Sequence, residues 1–247
     1  MAFDEKIYFD MVRGSLFGGE LNQGQVNGQK FILASWTRDP TTTDLRWLAY
    51  ALATTKHETA STMLPIEEYG KGKGREYGKP HPETGKTYFG RGFVQLTWYD
   101  NYVKATWELG LTNKNDLVHF PDRALDPEIA ADIMFKGMAE GWFRGDTKGR
   151  QTLLRYFDDD TDDPFGAREI INGDKNIVPN WSNGKKIGLL IADYHEDFLK
   201  AVTAAYVPDT VVVEPEPEPI PPPVVIDITL PDGIDVVVKV NGKTLIW

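Results

Sequence analysis

The sequence contains no cysteine. That excludes disulfides and thiolate chemistry, so the fold must rest on packing alone. Its N-terminus, MAFDEKIYFDMVRG, lacks an apolar run of signal-peptide length, and no later run is long enough to span a membrane. The expected product therefore accumulates in the cytoplasm. Basic clusters are missing as well, and the net charge is −10, so nucleic acid is not an expected partner. An acidic chain also gains no electrostatic pull toward an anionic surface. No cofactor or metal is called for. Position 61 is Ser61, which breaks the zinc pattern that His57-Glu58 could open. Asp158, Asp160, Asp162 and Glu169 match ligand places of a calcium loop, but Asp163 stands where its sharp turn needs glycine. Gly70, Gly72 and Gly74 follow no strand and precede no Lys-Ser/Thr in register, so they make no phosphate loop.

What is present is concentrated in residues 56–102, KHETASTMLPIEEYGKGKGREYGKPHPETGKTYFGRGFVQLTWYDNY. A histidine–glutamate pair opens the stretch and a second acidic pair, Glu67-Glu68, comes after it. A glycine- and aromatic-rich run then ends in Gln95, Thr97 and Asn101. Carboxylates, amides and rings in one short segment suit polysaccharide hydrolysis. One carboxyl group must protonate the leaving oxygen, and another must activate water or stabilise the cation.

Leu45, Leu48, Ala49 and Leu52 follow the spacing of one buried helical face. Thr43 or Asp44 is the expected N-cap. Glu58 then falls in the last turn, where the helix dipole disfavours negative charge. Partial burial acts in the same direction, so the expectation is a carboxyl that keeps its proton and acts as general acid. The bland alternative is a solvated glutamate at a helix end.

These motifs resemble glycoside hydrolase family 19, the chitinase and phage-endolysin family of lysozyme-like fold. His57-Glu58-Thr59 looks like its HET motif, and YFGRGFVQLTWYDNY over residues 88–102 is similar to its YYGRGPIQLSYNYNY block. Ile170 to Gly173, IING, looks like a third block, and the resemblance extends over roughly residues 5–205. It implies Glu58 as catalytic acid and Glu68 as the second carboxylate, with Glu67 next in line and Glu76 a distant third. It also implies that His57, Gln95, Asn101 and Asn172 bind substrate, and that Thr97 supplies a hydroxyl to the attacking water. Asp100 and Lys186 stand where plant members carry tyrosine and arginine.

The expected fold class is mainly α, a lysozyme-like helical domain over residues 1–206 with a small β-hairpin in 88–98. Helices are expected over 3–13 and 29–36, around a glycine-rich turn from Gly14 to Gly28, and over 101–109, stopping at Gly110. Asp126-Pro127 is a strong helix start, with Ile129, Ile133, Met134 and Met138 on one face, and Asp163-Pro164 repeats the signal. A last helix over 187–205 is expected to bury Leu190, Ile191, Tyr194, Phe198, Ala201 and Val202. Residues 207–223, VPDTVVVEPEPEPIPPP, read as a proline- and glutamate-rich linker. Residues 224–247 read as a small β appendage of three strands, its last turn at Asn241-Gly242. So small a piece buries little core, and is expected to self-associate, dock on another body or bind a partner.

The function these readings imply is an inverting glycosidase cutting β-1,4 bonds of N-acetylhexosamine polymers. Bacterial peptidoglycan, in a phage-type endolysin role on the cell wall after release, is the first substrate. Chitin is the alternative. A non-catalytic sugar-binding module and a lytic transglycosylase are the rivals from other classes.

Overall fold

The computed structural model describes residues 2–38, 42–208, 238–240 and 243–245. The chain divides into two compact units, Met1–Asp209 and Thr210–Trp247. The larger is mainly helical, as its periodicity predicts. Its helices are α1 (Glu5–Phe17), α2 (Gln23–Trp36), α3 (Leu45–Glu58), α4 (Tyr99–Glu108), α5 (Pro127–Glu140), α6 (Leu153–Tyr156) and α7 (Ile187–Ala205).

α3 is the central element. It packs chiefly on α7 and also meets α2 and α5. The sequence predicts one buried face, yet every residue from Leu48 to Lys56 is buried. Small side chains make this possible. Ala49, Ala51 and Ala53 alternate with large residues, so neighbours close around the whole helix. Asp44 is its N-cap, accepting from the Arg46 N–H at 2.9 Å. α7 buries Ile191, Phe198, Ala201 and Val202 as expected, while Leu190 and Tyr194 are only partly covered. It also buries His195, which clusters with the rings of Tyr50 and Phe157 at 5.7 and 5.2 Å.

The expected turn from Gly14 to Gly28 shrinks to residues 18–22. Asn22 and Gln25 form a capping box that starts α2 six residues before the predicted helix. Gly24 and Gly28 lie inside that helix. Gly28 has a steric reason: a Cβ there would meet the Met63 carbonyl oxygen at 1.8 Å. Its absence lets the loop after α3 lie directly on α2. Asp126 caps α5, and Ile129, Ile133, Met134 and Met138 are buried. Asp163 accepts from the Gly166 N–H at 2.7 Å. The expected helix start is realised only as a 3-10 turn, Gly166–Ile170, preceded by Phe165 and without a side-chain cap.

Strands are short. β1 (Ala2–Phe3) pairs antiparallel with β6 (Tyr206–Val207). β2 (Ile66–Glu67) pairs with β3 (Arg91–Gly92), and β4 (Gly145–Asp146) with β5 (Gly149–Arg150). The expected hairpin within 88–98 is thus reduced to one Arg91–Leu96 bridge. The strand partner of Arg91-Gly92 comes instead from residues 66–67. In the smaller unit, β7 (Val238–Val240) and β8 (Lys243–Leu245) pair antiparallel, with residues 241 and 242 between them. Residues 209–237, hence most of the expected linker and the first predicted strand, and residues 241–242, the expected Asn-Gly turn, lie outside the described residues. No helix among the described residues is long and apolar enough to cross a membrane.

Candidate active site

α3 carries Glu58 out of the core at its last residue. The glutamate faces an open groove of about 790 Å³. Behind it lies Arg168, 2% exposed, whose Nη1 donates to Glu58 Oε1. The same guanidinium grips Asp174 by two bonds, 2.6 Å from Nε and 3.0 Å from Nη2. Burial pulls the Arg168 pKa down, but the charge of Glu58 and the bonds to Asp174 outweigh it and leave it raised. Glu58 Oε1 is therefore occupied, and Oε2 has no protein partner among the described residues. Burial and the helix end at Glu58 are legible in the sequence, but this buried cation is not. The solvated glutamate of the bland alternative is excluded, since the side chain is 15% exposed and ion-paired.

Neither Glu67 nor Glu68 is in the groove lining, and their surroundings differ. Glu67 lies near two cations, with Lys71 Nζ at 2.6 Å and Arg91 Nε at 3.8 Å. Glu68 is held by neutral donors. Its Oε2 accepts from the Gly90 N–H and its Oε1 from the Tyr77 hydroxyl, both at 3.2 Å. Its own N–H donates to the Gly90 carbonyl at 2.7 Å. Burial first, and the Glu68 charge second, push the Tyr77 phenol above its ordinary pKa, so it remains a donor. Glu76 lines the groove but is exposed and paired with Lys79 at 2.6 Å.

The GRG run has a steric logic. Arg91 is buried and donates to the carbonyls of Thr87 and Phe89 and to the Tyr102 hydroxyl, at 3.1–3.3 Å. It also pairs with Asp122 at 3.0 Å. Gly92 sits at φ +89, and a Cβ would lie 2.9 Å from the Ala124 carbonyl oxygen. The motif thus ties the β2–β3 corner to the turn before α5.

Gln95, Thr97 and Asn101 all line the groove, but their donors are spent on backbone. Gln95 Nε2 donates to Ile66 and Gly92 carbonyls at 3.0 and 3.2 Å. Thr97 Oγ1 donates to the Gln95 carbonyl at 2.7 Å, and Asn101 Nδ2 to that of Thr97 at 2.9 Å. What they offer outward is two amide oxygens, a hydroxyl lone pair and the second N–H of Asn101. Asn172 lines the groove too and donates to Asp174 at 3.1 Å. His57 is not in the groove lining. Its ring lies 6.2 Å from that of Trp181, and burial pushes its pKa down, which favours the neutral imidazole. Lys186 donates to Asn176 at 3.1 Å and is not in the groove lining.

Sequence reasoning missed Arg168, Asp174, Arg75, Arg144, Tyr77 and Trp98. Arg75, Arg144, Tyr77 and Trp98 all line the groove. Trp98 is half exposed and held at φ 77, its ring edge-on to Tyr77 at 5.1 Å. The one usable signal was Arg168, a charge set among apolar residues in FGAREIIN. Glu169, from the rejected calcium pattern, lies between Arg144 and Lys175 at 3.4 and 3.5 Å.

No family model matches the chain. An endochitinase of Arabidopsis thaliana is 35% identical over 127 residues, which is 50% of this chain. The match spans 43% of that relative, less than half of its length. Two solved structures are similar at 19% identity. Chitinase C from Streptomyces griseus covers 81% of this chain and 92% of its own, with TM-score 0.48. A bacterial family 19 chitinase covers 81% and 94%, with TM-score 0.43.

Proposed function

We propose that this chain is a family 19 glycoside hydrolase that cleaves β-1,4 bonds beside N-acetylated amino sugars with inversion. Glu58 is the general acid, protonating the leaving oxygen through Oε2. Glu68 is the general base, activating water on the opposite face of the sugar. Such a pair works with its carboxyl groups ~6.5–9.5 Å apart, which leaves room for the water. The observation that supports the reading most is the open groove with Glu58 fixed in its wall by a buried guanidinium. One oxygen is anchored and the other is left for substrate. Glu68 is preferred to Glu67 because its partners are neutral donors. Its charge is then free to draw a proton from water.

The finer reading is bacterial peptidoglycan in an endolysin-type role. Arg75 and Arg144 line the groove, and cations suit a strand whose lactyl and peptide groups bear carboxylates. Chitin is the second reading, favoured by the similarity to a plant endochitinase. The test is mass spectrometry of purified cell wall and of chitin after digestion. Hydrolysed wall fragments that gain water, with chitin cut more slowly, are the expected result. Anhydro products would replace the mechanism with transglycosylation. Faster release from chitin would reverse the substrate order, and no release from either polymer would leave only a sugar-binding module.

A further inference from the structure

α4 has two apolar faces. One turns Tyr102 and Ala105 into the core. The other presents Tyr99, Val103 and Trp107 at i, i+4 and i+8, so they lie in one row about 12 Å long at helical rise. Val103 is exposed and Trp107 is 82% exposed. Tyr99 is half-buried against the core with His81 stacked on its ring, whereas Val103 and Trp107 stand exposed. A single exposed apolar residue needs no explanation, but an aligned row does.

The row continues the groove. Tyr77 and Trp98 form part of the groove wall and also line a second depression of about 350 Å³, which reaches His81 and Tyr99. His81 stacks on Tyr99 with centroids 3.9 Å apart and planes 12° apart, which fixes that ring. Tyr99 in turn borders a third depression of about 540 Å³ that holds Val103 and Trp107. The rim of this last hollow carries Thr112 and the His119–Asp116 pair. Rings set in a line, each beside polar groups, suit a ligand with alternating apolar faces and hydroxyl edges.

We infer that α4 carries an accessory track, from Trp98 over Tyr99 to Trp107, that holds a strand of amino-sugar polysaccharide beyond the groove. The occupant follows from continuity: each depression shares a ring with the next, beginning in the groove wall. It also follows from charge. A chain of net charge −10 is not drawn to an anionic wall, so retention on an insoluble polymer has to come from contact surface. The inference rests on the proposed glycosidase reading.

The test uses the full chain and two variants, Trp107→Ala and Trp107→Phe. Binding is measured by co-sedimentation with insoluble peptidoglycan and chitin, and cleavage is measured on a short soluble oligosaccharide. The expected result is affinity for the insoluble polymer about tenfold weaker in Trp107→Ala, as for the loss of one stacked ring. Trp107→Phe should recover part of it, with the soluble rate unchanged in both. Equal sedimentation of wild type and Trp107→Ala would overturn the track while leaving the glycosidase reading intact. Absence of cleavage with ring-dependent sedimentation would do the reverse. A wild type that sediments with neither polymer would overturn the track outright. If light scattering showed that Trp107→Ala lowers the particle mass without changing sedimentation, the row would be a contact between copies of the chain, and the track would again be wrong.

Discussion

α3 and the run from 59 to 98 are neighbours in sequence but are built by opposite means. α3 buries nine consecutive residues on regular helical backbone, with small side chains admitting its neighbours. The run after it places six non-glycine residues at positive φ: Ala60, Ser61, Met63, Lys71, Gln95 and Trp98. Each such residue costs roughly 1–3 kcal/mol, and persists only where the surroundings fix it. Here the fixing is polar. Gln25 Nε2 holds the Ser61 carbonyl at 2.9 Å, and Gln95 holds those of Ile66 and Gly92. The contrast teaches that the helix supplies rigidity while the strained run supplies shape. Glu58 sits at the joint between them.

The sharpest way to break this contrast is at that joint. Glu58→Gln keeps the size of the side chain and can still accept from Arg168. It cannot donate the catalytic proton, so the rate should fall ~10²–10⁴-fold while the melting curve stays near wild type. A folded variant retaining more than about a third of the rate would remove Glu58 from the acid role. Glu68→Gln should be comparably severe and Glu67→Gln mild, and measuring both on one substrate fixes the register of the second carboxylate.

Arg168→Met attacks the support instead. It leaves the half-buried Glu58 and Asp174 without their cation, and should destabilise the fold by about 3–5 kcal/mol. Denaturant unfolding reads this directly. A change under about 1 kcal/mol would mean the pair is relieved by water, as at an exposed site.

On the helical side, His195 gives a pH signature. Burial holds its pKa at about 4, against 6.5 ordinarily. Between those values the unfolded chain binds a proton that the folded one does not, so stability falls as pH drops from 6.5 toward 4. The loss amounts to about 3 kcal/mol at the end of the window. His195→Phe should flatten that part of the stability–pH curve. An unaltered slope would place the acid sensitivity elsewhere.

Thr97→Val is the finest probe. It should lower turnover by about threefold to tenfold, the worth of one hydroxyl contact, with stability changed by no more than about 1.5 kcal/mol. Equal turnover would make Thr97 only a brace for the Gln95 carbonyl.

How far the sequence could be read follows the same division. α7 lies where its apolar spacing put it, and the caps at Asp44 and Asp126 form as their residue types predict. Helical periodicity is a local property, so a single sequence displays it. The extent of α2 was hidden because Gly24 and Gly28 read as turn residues. For Gly28 the reason is a distant loop carbonyl that no local pattern shows. HET and GRG could be found as words, but the work of Arg91 could not, since its partners span residues 67 to 122. Arg168 stood out as a charge among apolar residues, but its partner could not be read, because it meets Glu58 across 110 positions of chain.

The β1–β6 pair has a consequence for topology. Ala2 lies opposite Val207 and Phe3 opposite Tyr206, and the Asp4 N–H donates to the Ala205 carbonyl at 2.7 Å. Residues 2 and 207 are therefore about 5 Å apart, the spacing of paired strands. A few added residues could join them and turn this unit into a closed ring. New ends could then be opened at the exposed glycine after α4, Gly110 at φ 60, where the chain already turns at the surface. The order of elements would change while Glu58, Arg168 and Asp174 kept their places. The unit is a natural circular permutant in waiting, because its fold depends on which segments touch and not on where the chain is cut.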